Sequence, residues 1–166
     1  MRDGRGTLSC APMSVREPVL RHHLIAKAKP AEVYAVVTDF LAYPRLFPEF
    51  VSTRVVSTAG NVARVEFKVQ IVMPVRYVLD LRCDPETLTV DWTYVEGEIV
   101  TNSTGGWRFA VEGEGTHVEY RAMIDVKAPV PGFILRKVTD GLVAASIPNM
   151  FRAIEGEVRS RQARET

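Results

Sequence analysis

From Val19 onward the spacing of apolar residues changes period along the chain, and each change marks an element. Val19–Ala28 carries Leu20, His22, Leu24 and Ala26 at period two, which predicts a strand with that set facing inward. Lys29-Pro30 then opens a helix. Proline suits a first helical position because its missing N–H would be unpaired there in any case, and Val33, Val36, Val37 and Phe40 follow at spacings of three and four. Pro44 and Pro48 limit the next segment, Leu41–Phe50, to one short helical turn. Tyr43, Leu46, Phe47 and Phe50 make that turn strongly apolar, so it packs on the core or forms a lid.

The period then returns to two. Val51–Thr58 reads as a strand, and Ala59-Gly60-Asn61 as a turn. Val65, Phe67, Val69 and Ile71 alternate with Arg64, Glu66, Lys68 and Gln70, the pattern of a sheet with one wet and one dry face. After Met73-Pro74, the apolar set is Val75, Tyr77, Leu79, Leu81 and Cys83; after Asp84-Pro85-Glu86, it is Leu88, Val90, Trp92 and Tyr94. Trp107, Phe109 and Val111 form the next set, following Gly105-Gly106, and Val118, Tyr120, Ala122, Ile124 and Val126 the last, opposite His117, Glu119, Arg121 and Asp125. Short turns between such runs predict an antiparallel meander.

Pro129-Val130-Pro131-Gly132 ends the meander, and from about Gly132 to Arg161 the spacing is helical. Ile134, Leu135, Val138, Leu142, Ala145, Ile147, Met150, Phe151, Ile154 and Val158 make one stripe on a helix about 45 Å long. Pro148 removes one backbone bond within it and predicts a kink.

Composition adds bounds. The 166 residues suit one domain, with 46% hydrophobic and 25% charged residues, as in ordinary globular chains. A net charge of +1 gives no general reason to expect nucleic acid as a partner. Cys10 and Cys83 are far apart and outside any CxxC pair, which predicts free thiols in a reducing, cytoplasmic setting. Residues 1–18 lack the apolar core of a signal peptide and read as a flexible polar tail before a domain over 19–161.

A sheet with one dry face needs a cover, and the terminal helix is the element long enough to supply it. A twisted sheet curls round such a helix. The mismatch between them predicts a gap lined by Phe47, Phe67, Val69, Ile71, Tyr77, Leu79, Trp92, Tyr94, Trp107, Phe109, Tyr120, Ile124, Leu135, Val138, Leu142 and Met150. Apolar walls of this kind suit a hydrophobic small molecule, although faces of the same pattern also pack solid.

Three stretches together resemble one family. They are Pro30-Ala31-Glu32-Val33-Tyr34 through Asp39-Phe40 to Tyr43-Pro44 and Pro48; Gly106-Trp107-Arg108-Phe109 with Gly115-Thr116-His117-Val118-Glu119-Tyr120; and the proline-led terminal helix with Ile147-Pro148-Asn149-Met150. Their order is similar to that of the START-like, polyketide cyclase/dehydrase and lipid-transport superfamily (SRPBCC, Bet v 1-like), and looks most like its coenzyme Q-binding START proteins and its bacterial cyclase/dehydrase-like proteins. The resemblance implies an α+β helix-grip fold: a curved antiparallel sheet of about seven strands round a long C-terminal helix, with two short helices after the first strand. It also implies a deep pocket for a lipid, quinone, sterol or polyketide.

For catalysis the sequence offers little. His22 is the histidine expected on an inward face, and with Tyr120 it is a weak acid/base candidate; His23 and His117 are expected to face solvent. Tyr77, Tyr94 and Tyr120 have hydroxyls to offer a ligand carbonyl, and Trp92 and Trp107 have rings to stack on one. No metal spacing or phosphate loop is present, so neither metal nor cofactor is expected. Arg45 reads as a solvated arginine with an anionic headgroup as its alternative partner, and Gly105-Gly106 as a place where the strand bends or nears the helix. The leading expectation is a carrier of a hydrophobic small molecule, with transient membrane contact. The alternatives are a polyketide aromatase/cyclase or dehydratase, and a protein-interaction module using an exposed patch around Phe47–Phe50.

Overall fold

A computed structural model describes the backbone of residues 13–14, 19–70, 74–127 and 131–166, with side chains for all of these except 13–14, 134–135 and 137–145. In chain order the elements are β1 (Met13–Ser14), β2 (Val19–Ile25), α1 (Pro30–Val37), a 3-10 turn (Phe40–Ala42), α2 (Tyr43–Leu46), β3 (Phe50–Ala59), β4 (Val62–Gln70), β5 (Pro74–Asp84), β6 (Thr89–Gly97), β7 (Val100–Glu112), β8 (Gly115–Val126) and α3 (Gly132–Arg164). The strands form one antiparallel sheet in the order β1-β8-β7-β6-β5-β4-β3, with β2 also paired to β8. This is the helix-grip arrangement. From β4 to β8 the meander follows much of the alternation, with Val65, Phe67, Leu79, Leu81, Val90, Trp92, Trp107, Phe109 and Val118 buried on the inner face. In contrast, β3 has no buried residue, and Glu66 and Val78 are buried on the other face.

Each turn has a local cause. Pro30 begins α1, and the Glu32 side chain turns back to accept the Lys29 backbone N–H at 2.7 Å. Gly60 and Gly113 take φ of +58° between β3 and β4 and between β7 and β8, a conformation glycine adopts at no steric cost. Pro148 lies inside α3, which runs unbroken from Gly132 to Arg164.

The core sits where α1 and the C-terminal half of α3 meet the sheet. Ile25, Val33, Val36, Val37, Val65, Val90, Val118, Ile154 and Val158 are at most 1% exposed. Burying side chains of this size stabilises by about 1.5–3 kcal/mol each. Among the described residues, no helix is long and apolar enough to cross a membrane.

Two expected faces are corrected. In β2 the set Leu20, His22 and Leu24 faces out, with Leu20 46% and Leu24 51% exposed. The register decides this: these residues pair with Arg121, Glu119 and His117 of β8, whereas Ile25 pairs with Thr116, which is fully buried. In β7, Val111 is 74% exposed because it lies at the hairpin end, two residues from Gly113.

Candidate functional site

Between the sheet and α3 the core does not close. A hollow of about 190 Å³ remains. Its floor comes from Phe67 of β4, Tyr77, Leu79 and Leu81 of β5, and Trp92 of β6. Ser103 and Trp107 of β7 and Tyr120, Ala122 and Ile124 of β8 continue it. Tyr43 of α2, with Phe47 and Phe50 after it, closes one side, and Met150 of α3 stands at another.

The aromatic walls are braced by one another. The rings of Trp107 and Tyr120 have centroids 4.6 Å apart, and Trp107 meets Phe151 edge-on at 6.1 Å. Tyr43 meets Phe47 and Phe50 edge-on at 4.9 and 5.4 Å. Gly105 makes room for the Trp92 indole: a Cβ there would overlap that ring and the Arg121 carbonyl. The glycine therefore serves an approach of tryptophan rather than of the helix. So placed, Trp92 Nε1 donates to Ser103 Oγ at 3.2 Å.

Burial sets the chemistry of the phenols. Tyr43 donates to the Val37 carbonyl at 2.5 Å, and desolvation raises its pKa. Tyr77 and Tyr120 keep some accessible surface, which faces the hollow, yet desolvation raises the Tyr77 pKa and pushes that of Tyr120 up to about 12. Desolvation likewise pushes the Cys83 thiol up to about 11. All of these groups are neutral at physiological pH.

Outside the hollow a clamp ties α2 to α3. Arg45 holds Glu157 by two bonds, of 3.0 and 2.9 Å, and Arg161 bridges Glu157 at 3.0 Å and Asp39 at 2.7 Å. The hydrogen bond from Arg45, joined by that from Arg161, lowers the Glu157 pKa to about 2 against the opposing effect of burial. Arg45 is thus an anchor of the α2 segment.

Of the residues expected at the gap, Phe47, Phe67, Tyr77, Leu79, Trp92, Trp107, Tyr120, Ile124 and Met150 line the hollow. Val69 packs instead in a separate cluster with Val75 and Val100. Tyr94 donates its hydroxyl to the Val100 carbonyl at 2.9 Å, so it offers no free O–H. Phe109 lies beyond Trp107, edge-on to Tyr34 at 6.2 Å. Ile71 lies outside the described residues, as do the side chains of Leu135, Val138 and Leu142.

The histidines exchange places. His22 is on the outer face, 2.8 Å from His117, which in turn contacts Glu112 at 2.7 Å. His23 turns inward to stack on Phe151 at 4.8 Å and reach Glu155 at 3.4 Å. The β2 register removes His22 from the site. The patch expected around Phe47–Phe50 is not a surface either: Phe47 is 5% exposed, and Phe50 packs against the core. Among the described residues, no three His, Cys, Asp or Glu side chains are placed so as to hold a metal ion.

Tyr43, Phe50, Leu81, Ser103 and Ala122 line the hollow without having been expected there. Leu81 and Ala122 carried the right parity. Ser103 was hidden because Thr101-Asn102-Ser103-Thr104 shows no apolar alternation, so the first half of β7 gave no strand signal.

Comparisons with known proteins agree with this fold. A protein of Thermus thermophilus superposes with a TM-score of 0.77 at 25% identity, over 87% of this chain and 99% of its own. The Zhui aromatase/cyclase from a Streptomyces species superposes at 0.76 with 18% identity, over 87% and 96%. A START superfamily protein from Mycobacterium smegmatis does so at 0.70 with 19% identity, over 86% and 97%. No curated protein matches. The family profile described as polyketide cyclase / dehydrase and lipid transport matches residues 19–157, and the chain belongs to that family.

Proposed function

We propose that this protein binds and carries a hydrophobic small molecule in the hollow between sheet and α3. The observation that carries the reading is a space walled by aromatic and aliphatic side chains, in a family whose members bind hydrophobic ligands. At about 190 Å³ the space is smaller than the roughly 300–1,000 Å³ usual for ligand pockets. It holds the head of an isoprenoid quinone, a lipid or a polyketide-like compound, and Met150 is the flexible wall that moves to admit the rest.

Turnover is the second reading, favoured by the fold shared with the Zhui aromatase/cyclase. A general acid or base works best with a pKa near the operating pH. The Tyr120 phenol, at about 12, is far from it, and His22 lies outside the hollow, which supports carriage over catalysis.

The test is extraction. Protein purified from its native cells is extracted with organic solvent, and the stripped protein is then titrated with naphthalene. A stoichiometric apolar compound in the extract, together with saturable uptake of the probe, is expected. A clean extract with no uptake overturns the reading.

A further inference from the structure

The polar groups of the hollow narrow the ligand further, given the binding role proposed above. Among the described lining residues, the side-chain heteroatoms are four hydroxyls, two indole nitrogens and the Met150 sulfur; no Lys, Arg or His is among them. Tyr43 is committed to the Val37 carbonyl. Trp92 is committed to Ser103 Oγ, a bond that uses an acceptor lone pair and leaves the Ser103 O–H to donate. Tyr77 and Tyr120 make no side-chain hydrogen bond within the described residues, and they lie within electrostatic reach of each other. Three O–H donors therefore line one apolar space, with no cation among the described residues that wall it.

We infer that the hollow takes the carbonyl end of a neutral, ring-sized compound, with Tyr77 and Tyr120 donating to the carbonyl oxygen, and that it rejects a carboxylate of equal size. A carbonyl needs donors and brings no charge. A carboxylate needs a positive partner once it leaves water, and burying it unpaired is far more costly than burying a ketone. Desolvation holds both phenols protonated, so they remain donors throughout the physiological range. Size points the same way: a cavity of roughly 150 Å³ holds benzene, so one of about 190 Å³ suits one or two rings. Quinones and the ring ketones of aromatic polyketides share this chemistry.

Isothermal titration of the full chain near neutral pH with menadione, α-tetralone, naphthalene and β-naphthoate tests the inference. Both tryptophans of the chain line the hollow, so their emission reports whether each probe enters it. Menadione and α-tetralone are expected to bind about tenfold more tightly than naphthalene, the worth of one good hydrogen bond. Naphthoate is expected to bind on the order of 100-fold more weakly than α-tetralone. Tyr120→Phe should shrink the advantage of tetralone over naphthalene to about threefold or less. A lead for menadione supports the inference with a quinone as the source, and a lead for tetralone supports it with a polyketide-type ketone. Naphthoate binding as tightly as tetralone, or naphthalene binding as tightly as both carbonyl compounds, overturns it and leaves the carrier reading standing. If none of the four binds, the carrier reading falls as well. Should Tyr120→Phe fail to fold, the four wild-type affinities decide alone.

Discussion

Beyond Phe151, β-branched aliphatic side chains fill the space between α3 and the sheet; around Met150, aromatic rings frame it and leave it open. Ile25, Val36, Val118, Ile154 and Val158 at the first end are at most 1% exposed. Tyr77, Trp92, Trp107 and Tyr120 at the other surround a void. Compact branched side chains interlock at the density of a crystal. Rings set at a tilt to one another, above the small residues Ser103, Gly105 and Ala122, leave it open. One end holds the fold and the other holds space, which lets the hollow change shape without loss of the domain.

If that division is right, substitutions at the two ends differ in cost. The largest effect belongs to the packed end: Ile154→Ala should lower unfolding stability by about 3 kcal/mol in urea titration. Acid comes next. The Glu157 pKa falls from an ordinary 4.5 to about 2 on folding, so its contribution is fully present above pH 4.5 and is lost as pH falls towards 2. That loss should be on the order of 2 kcal/mol, reduced from the full shift because Arg45 is 61% exposed to screening solvent. Glu157→Gln should flatten the acid limb of stability against pH.

The open end should respond in optical and binding signals more than in stability. Gly105→Ala forces the Trp92 ring from its seat and should cost about 1.5 kcal/mol while shifting tryptophan emission. Met150→Ala should cost only about 1 kcal/mol, since its side chain already borders empty space, and should widen the range of ligands taken up. Equal losses for Ile154→Ala and Met150→Ala would erase the distinction between the two ends.

Much of the frame was legible because β4, β5, β6 and β8 alternate at period two and because Phe151, Ile154 and Val158 of α3 recur at helical spacing and are buried. The failures share a cause. β2 carries apolar residues on both faces, with Leu20 and Leu24 outside and Ile25 inside, so parity alone chose the wrong side and took His22 with it. Ser103 belongs to the wall because its hydroxyl accepts from Trp92, a bond across strands that no local pattern announces. Arg45 and Glu157 are 112 residues apart and meet only once α2 folds against α3.

The central claim, that the hollow is the ligand's seat, is tested most directly by carbon-13 methyl NMR of methionine-labelled protein during titration with naphthalene. Met150 borders the hollow, whereas Met123 lies on the opposite face of β8 from Tyr120 and Ile124. A ring-current shift of the Met150 methyl that saturates with the ligand, beside an unmoved Met123, is the predicted result. Saturation that leaves Met150 unshifted would contradict the account.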